Sequence, residues 1–410
     1  MSHRTTRPLT SEVLEQESLR LYEFARSFPH PQGGAAWLDE RGRPDLTMPV
    51  HTWVTARMAH TYSLAALSGV EGAAELADIA VAGLTGPLRD RVDGGWYSSV
   101  LDGESPDDKS CYAHAFVVLA GASATTAGRP GGRQLLDEAL QVWEEKFWEP
   151  AAGLYADTWN RAFSVLSDYR GINANMHAVE ALLAAYDATG EVRWRDRALE
   201  ISRRVMLEFA EPNNWRVPEH FDAAWQPVLE YNRERPDDPF LPYGATVGHA
   251  LEWSRLLLHV EAAVGPESEP WLRRSSVALF DRAVEDGWAV DGIDGFVYTT
   301  GWDGRPVIRD RMHWVAAEGI GAAAALHTRT GEPRYAELLE IWWEYADRYL
   351  MDRVDGSWHH QLDSDNHPIS TVWSGKPDVY HAVQATLIPR LPLAPGLAVA
   401  LRDGLLDSRS

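Results

Sequence analysis

The chain has 410 residues and a formal charge of -22 with a pI of about 5.1, spread along its length, which excludes a nucleic-acid phosphate backbone as partner. A single cysteine, Cys111, excludes an internal disulfide and a cysteine-based zinc site. Residues 1–30 lack an apolar leader segment and no window reaches the roughly 18 apolar residues of a membrane span, so a cytoplasmic protein without a membrane partner is expected.

Two kinds of helix alternate along the chain. Amphipathic helices with charge at 3.6-residue spacing are predicted over 11–28, 72–91, 133–147, 192–209, 271–286 and 333–350. Helices rich in Ala, Gly and Leu are predicted over 49–67, 110–126, 174–188, 246–263, 313–329 and 378–390. The second kind is apolar nearly all round and therefore buried on most sides.

Two punctuation marks recur with them. A glycine closes the apolar helices at Gly69, Gly128, Gly190, Gly265 and Gly331, at spacings of 59, 62, 75 and 66 residues. This is the residue expected just past a helix end. An aromatic segment led by glycine or asparagine follows the amphipathic helices: Gly95-Trp96-Tyr97, Gly153-Leu154-Tyr155, Asn214-Trp215, Gly295-Phe296 and Gly356-Ser357-Trp358. It reads as a short extended or hairpin loop.

A unit of outer helix, aromatic loop and inner helix thus repeats six times, about every 60 residues. Such units cannot bury their apolar faces alone and must stack on their neighbours. A solenoid would show polar capping units at both ends, and none stands out. The fold expected is all-α, an (α/α)6 barrel forming one domain over 1–410. The segments 210–245 and 291–312 are long enough to form the rim of a funnel at one end. The loose ends expected are the N-terminus around Arg4 and Arg7 and the segment Leu401 to Ser410.

The inner helices carry polar residues near their N-terminal ends, where an apolar helix should have none. They are Trp53 and Arg57; Tyr112 and His114; Asn173 and His177 with Glu180; His249 with Glu252; Trp314 with Glu318; and Lys376, Tyr380 and His381. A lone histidine on such a helix is usually a satisfied core residue. A ring of polar groups at one end instead suggests a wet cavity, because buried polar groups are costly without partners. The eighteen tryptophans suit core filling and also suit the apolar face of a sugar.

Three chemistries fit such a ring. His177-x-x-Glu180 and His249-x-x-Glu252 can present metal ligands, although a hard metal wants more carboxylates. Glu252 and Glu318 can serve as the carboxyl pair of a glycoside hydrolase. Proton transfer next to a carbonyl uses imidazole bases near neutrality, with Arg57 as the cation that stabilises an enediolate. The last uses the most of the residues present, while a non-catalytic sugar-binding protein stays open. Cys111 reads as a buried small residue and His359-His360 as rim or surface.

Met48-Pro49-Val50-His51-Thr52-Trp53 through Arg57-Met58, Asn173-Ala174-Asn175-Met176-His177, Gly248-His249-Ala250-Leu251-Glu252-Trp253 and Gly375-Lys376-Pro377 through His381 together resemble the N-acylglucosamine 2-epimerase superfamily. Gly-His-x-x-Glu-Trp is the most specific of these motifs, and the D-mannose isomerase branch is the nearest in kind. The resemblance implies a cofactor-free and metal-free enzyme that interconverts D-mannose and D-fructose, with lyxose as a further substrate, through a cis-enediolate. It implies His249 as the base that moves a proton between C2 and C1 and His381 as the ring opener, or the reverse. Arg57 would meet the developing charge, and Glu252 would orient a histidine or bind a hydroxyl. Trp53, Tyr112, Asn173, His177, Trp314, Glu318 and Gln361 would line the sugar site. The 2-epimerases of N-acylglucosamine or cellobiose remain alternatives. So does a sulfoquinovose isomerase, whose sulfonate would need Arg309, Arg311 or Lys376.

Overall fold

The structure, a computed structural model, describes residues 9–408 apart from Trp373. Arg4, Arg7 and the last two residues lie outside that range. Six inner helices are α2 (Thr52–Leu67), α4 (Cys111–Thr126), α6 (Ile172–Thr189), α8 (Val247–Val264), α10 (His313–Thr330) and α12 (Tyr380–Leu387). Six outer helices are α1 (Ser11–Ala25), α3 (Ala73–Thr85), α5 (Gly132–Lys146), α7 (Val192–Arg204), α9 (Pro270–Gly287) and α11 (Pro333–Tyr345). A short α13 (Leu397–Arg402) follows.

Each inner helix packs on the next, and α12 returns to α2, so the ring closes as an (α/α)6 barrel. The close antiparallel pairs are an inner helix and the outer helix after it, such as α2 with α3 and α4 with α5; the sixth pair is α12 with α1. The inner helices are buried nearly all round, as in the run Val54–Ala65 of α2. The outer ones bury one stripe, as with Leu135, Leu136, Ala139, Leu140 and Trp143 of α5. The rings meet through small residues: a Cβ on Gly121 of α4 would lie 2.8 Å from the Leu136 backbone.

Several helices stop earlier than periodicity predicts, for local reasons. Helix α3 ends at Gly86-Pro87, and α12 tightens to a 3-10 turn at Ile388–Arg390, around Pro389. Helices α7 and α11 run on as π turns over Val205–Ala210 and Ala346–Leu350. At Gly190 and Gly331 the chain turns in the left-handed conformation, at φ 74° and 70°.

The other end of the barrel is built from two-residue strand pairs and the aromatic loops. Four of these loops are tied down by a charge pair to the segment that leads into the next inner helix. The pairs are Asp90–Lys109 at 2.9 Å, Glu149–Arg170 at 2.8 Å, Asp291–Arg311 at 2.7 Å and Asp352–Lys376 at 2.7 Å. All four cations are buried. Leu401 onward does not fray as expected. Val399, Ala400 and Leu401 are buried, and Asp407 accepts hydrogen bonds from Arg390 and from Ser11. Helix α13 closes the far end of the barrel against α2, α4 and α6. No helix among the described residues is long and apolar enough to cross a membrane.

Candidate active site

The N-terminal ends of the inner helices open into a funnel of about 810 Å³. Helix α2 supplies Trp53 and Arg57, α4 Tyr112, α6 Asn173 and His177, α8 His249 and Glu252, α10 Trp314, and His381 comes from α12. Both expected rim segments reach it: the first supplies Glu219, Tyr231 and Phe240, the second Tyr298.

Of the imidazoles that line this space, two are held at Nδ1 by a hydrogen bond with a carboxylate. His249 Nδ1 lies 3.0 and 2.9 Å from the two oxygens of Glu219. His381 Nδ1 lies 3.0 Å from Glu318 Oε1. Between them stands the Trp314 indole, 5.2 Å from the His249 ring and 5.8 Å from the His381 ring. Gly248 explains its place in the motif: the Trp314 ring lies against it, and a Cβ there would be 2.3 Å from Trp314 Cζ3. Trp253, at the end of the motif, is a fully buried core residue.

Arg57 is fixed on every side. It donates to Asp378 at 3.2 Å and to the Tyr112 hydroxyl at 2.9 Å. Its guanidinium carbon sits 4.4 Å from the Phe116 ring centroid, 4.8 Å from Tyr380 and 4.9 Å from Trp53. Burial disfavours its charge, but Tyr112 and Asp378 more than offset this, so Arg57 stays firmly cationic.

Beneath the histidines lies a buried charge network. Arg255 donates to Glu318 at 3.0 Å and stands 3.6 Å from Glu252 Oε1. Glu180 accepts from Gln384 at 2.8 Å and from the Tyr380 hydroxyl. Burial, then the charge of Glu318, pushes the Glu252 carboxyl well above the usual carboxylate range, against the pull of Arg255. Burial pushes Glu318 up as well. Burial, then Arg57, pushes His381 well below the usual imidazole range, and burial lowers His177 to about 4, so both rings are uncharged at neutral pH.

Several expected residues stand elsewhere. Glu252 does not touch His249; the ring nearest it is His177, whose Nδ1 is 3.6 Å from Glu252 Oε1. The side chain i+3 along the helix points down the barrel axis, while the partner of His249 comes from the rim. Glu318 stands behind His381 and not on the funnel surface. Gln361 does not line the funnel: it bonds Asp310 and Thr371 and pins the hairpin behind it. His114 is a structural residue between the Ser110 carbonyl and the Trp96 N–H. Lys376 and Arg311 are spent on their loop pairs, and Arg309 lies 3.6 Å from Asp291. None of these three cations reaches the funnel, so the sulfonate site has no cation among them. His360 stands at the rim, where it lines the funnel, half-buried and stacked on His313 at 3.9 Å.

Sequence reasoning missed Glu219, Asp378 as the partner of Arg57, and His313. Glu219 sits in an aperiodic stretch, and only its place as an acid among apolar neighbours, Val217-Pro218-Glu219-His220-Phe221, marks it.

His177, Glu180 and Glu252 offer ligand atoms within 4.8 Å of one another. Both oxygens of Glu180 are already engaged, and Arg255 faces Glu252, so this donor set is a poor fit for a divalent cation.

The sequence pattern of the N-acylglucosamine 2-epimerase (GlcNAc 2-epimerase) family matches residues 33–385. The chain is 51% identical over 400 residues to a D-mannose isomerase of Thermobifida fusca, covering 97% of this chain and 98% of that one. It is 44% identical to a D-mannose isomerase of Pseudomonas cannabina pv. alisalensis, over 96% of both chains. A crystal structure of a D-mannose isomerase superposes with a TM-score of 0.88 at 27% identity, covering 94% of this chain and 99% of the other. With the family pattern spanning most of the barrel and all of the funnel's inner helices but the end of α12, the chain belongs to the N-acylglucosamine 2-epimerase family.

Proposed function

We propose that this protein is a D-mannose isomerase, interconverting D-mannose and D-fructose by proton transfer between protein side chains and the open-chain sugar. The observation that carries the reading is the pair of funnel-facing imidazoles, each tied at Nδ1 to a carboxylate and leaning on Trp314. The near-full-length likeness to two D-mannose isomerases supplies the substrate.

His381 opens the ring. It takes the proton of the C1 hydroxyl and returns a proton to the ring oxygen as the C1–O5 bond breaks, leaving the aldehyde. A neutral ring suits this exchange. His249 then removes the C2 proton. The C–H electrons form the C1–C2 double bond and negative charge moves to O1. Arg57, rigid and cationic before substrate arrives, stabilises that charge. The proton on His249, exchangeable with solvent while the enediolate persists, is delivered to C1, and the O2 proton passes to O1, giving the ketose. Glu252, which lines the funnel, binds a sugar hydroxyl.

Mannose incubated with the protein in D2O tests this by NMR. Fructose carrying deuterium at C1, formed at a rate unaffected by EDTA, is the expected result. Exchange at C2 that yields glucose without fructose would make the protein a 2-epimerase. No turnover of mannose would refute the proposal.

A further inference from the structure

His249 is carried by α8, but what fixes its ring belongs to another part of the chain. Glu219 lies in the long connection between α7 and α8. Its carbonyl accepts the N–H of Ile172, the first residue of α6, at 3.1 Å. The next two residues, His220–Phe221, pair antiparallel with Arg170–Gly171. The His220 ring is locked between the Tyr169 hydroxyl at 2.7 Å and the Pro242 carbonyl at 2.9 Å. Glu219 is thus built into the edge of the funnel, 5% exposed, with both oxygens within 3.0 Å of one ring nitrogen.

A carboxylate can only accept, so the shared hydrogen belongs to His249 Nδ1. That leaves the Nε2 lone pair as the basic position open to substrate. Without such a partner a neutral imidazole exchanges between two tautomers, one of which presents an N–H where a base is required.

We propose that Glu219 is a positioning residue that holds His249 in its Nδ1–H tautomer and stabilises the imidazolium formed when Nε2 takes the sugar proton. The inference rests on the isomerase reading for its catalytic consequence, but its geometric content stands apart from it. The other titratable groups near His249 are His220 from the same rim, His177 from α6, Glu252 on its own helix and Tyr298 from the second rim segment. Among the described residues none of these four is hydrogen-bonded to the ring, whereas Glu219 is.

The test has two arms. Imidazole 15N shifts of the wild-type protein, assigned with a His249→Gln variant, report which ring nitrogen carries the hydrogen. The expected signal is a protonated Nδ1 and a bare Nε2; the opposite tautomer overturns the proposal whatever the enzyme's substrate. The second arm is kinetic. Glu219→Gln keeps the shape, and its amide can accept from or donate to Nδ1. The expected result is a mixture of tautomers, kcat lower by roughly 10²-fold or more and KM within about twofold of wild type. Glu219→Asp, which keeps the charge, recovers part of kcat. A raised KM with unchanged kcat would make Glu219 a sugar-binding residue and overturn the proposal. Wild-type protein that shows the Nδ1–H tautomer but does not turn over mannose would leave the positioning role standing and sink the isomerase reading alone.

Discussion

Replacing Gly248 by alanine should separate stability from activity. Gly248 has ordinary helical geometry near the start of α8, so alanine gains about 1 kcal/mol of helix propensity. The added Cβ would lie 2.3 Å from Trp314 Cζ3, 2.6 Å from Cη2 and 2.9 Å from Val315 Cγ2. Ordinary contact begins near 3.4 Å, so the indole must retreat by about 1 Å. Overpacking of this kind costs about 1–3 kcal/mol. The two effects leave a net loss of about 0–2 kcal/mol, a modest fall in Tm. Activity is affected differently, because Trp314 is the surface against which both imidazoles rest. A misplacement of about 1 Å next to reacting groups costs on the order of 10²-fold. The expected result of Gly248→Ala is a folded protein with kcat/KM on mannose down by about that factor. Trp314→Phe removes the two indole atoms in conflict and leaves Val315 Cγ2 at 2.9 Å, so Gly248→Ala should cost less when added to Trp314→Phe than it does alone. Near-wild-type kcat/KM in Gly248→Ala, or full additivity in the double variant, would refute the reasoning.

Arg57→Lys should lower kcat/KM by about 10²–10³-fold, because an ammonium cannot reproduce two fixed donors inside a box of three aromatic rings; steady-state kinetics over mannose concentrations from well below KM to saturation check it. His249→Gln should abolish deuterium entry at C1 of fructose, whereas His381→Gln should leave measurable turnover, because sugar rings also open spontaneously; NMR in D2O distinguishes the two. Asp352 is held down to about 2, with burial opposing and the Lys376 ammonium and backbone N–H groups prevailing. A lowered folded-state pKa contributes stability above the ordinary value of 3.8 that is lost as pH falls toward 2. Acid unfolding should therefore steepen between about pH 4 and pH 2. Lys376→Met, which strands a buried carboxylate, should cost about 3–5 kcal/mol in denaturant melts at neutral pH.

The helical layout was legible because it depends on local patterns. Period 3.6, all-round apolarity and terminal glycines place all twelve barrel helices, and the polar residues at the inner-helix starts point to the funnel. The helix ends at Pro87 and Pro389 were misjudged only because periodicity outran local chemistry. Side-chain partnership is another matter. His249-x-x-Glu252 lies on one helix, and spacing suggested a pair. The pair that forms is His249 with Glu219, 30 residues away and on a stretch without periodicity. Lys376 belongs to a motif and Gln361 was expected to line the sugar site, yet both face their own loops. His114 illustrates the bland outcome for a histidine on an apolar helix, whereas His360, expected at the rim or surface, does line the funnel.

The closure of α1 onto α12 has a consequence for synthesis on the ribosome. Ser11 and Asp407 meet across a separation of 396 residues, and α1 packs on a helix that does not exist until residue 380 is made. At roughly 5–20 residues per second, the first helix waits for tens of seconds without α12, with Tyr22 able to meet Tyr62 of α2 in the meantime. Leu14, Leu21, Tyr22 and Ala25 form its apolar stripe. The nascent chain is therefore an open arc with an unfilled seam until its last inner helix emerges. The N-terminal helix is the segment on which a chaperone would find the longest-lived target.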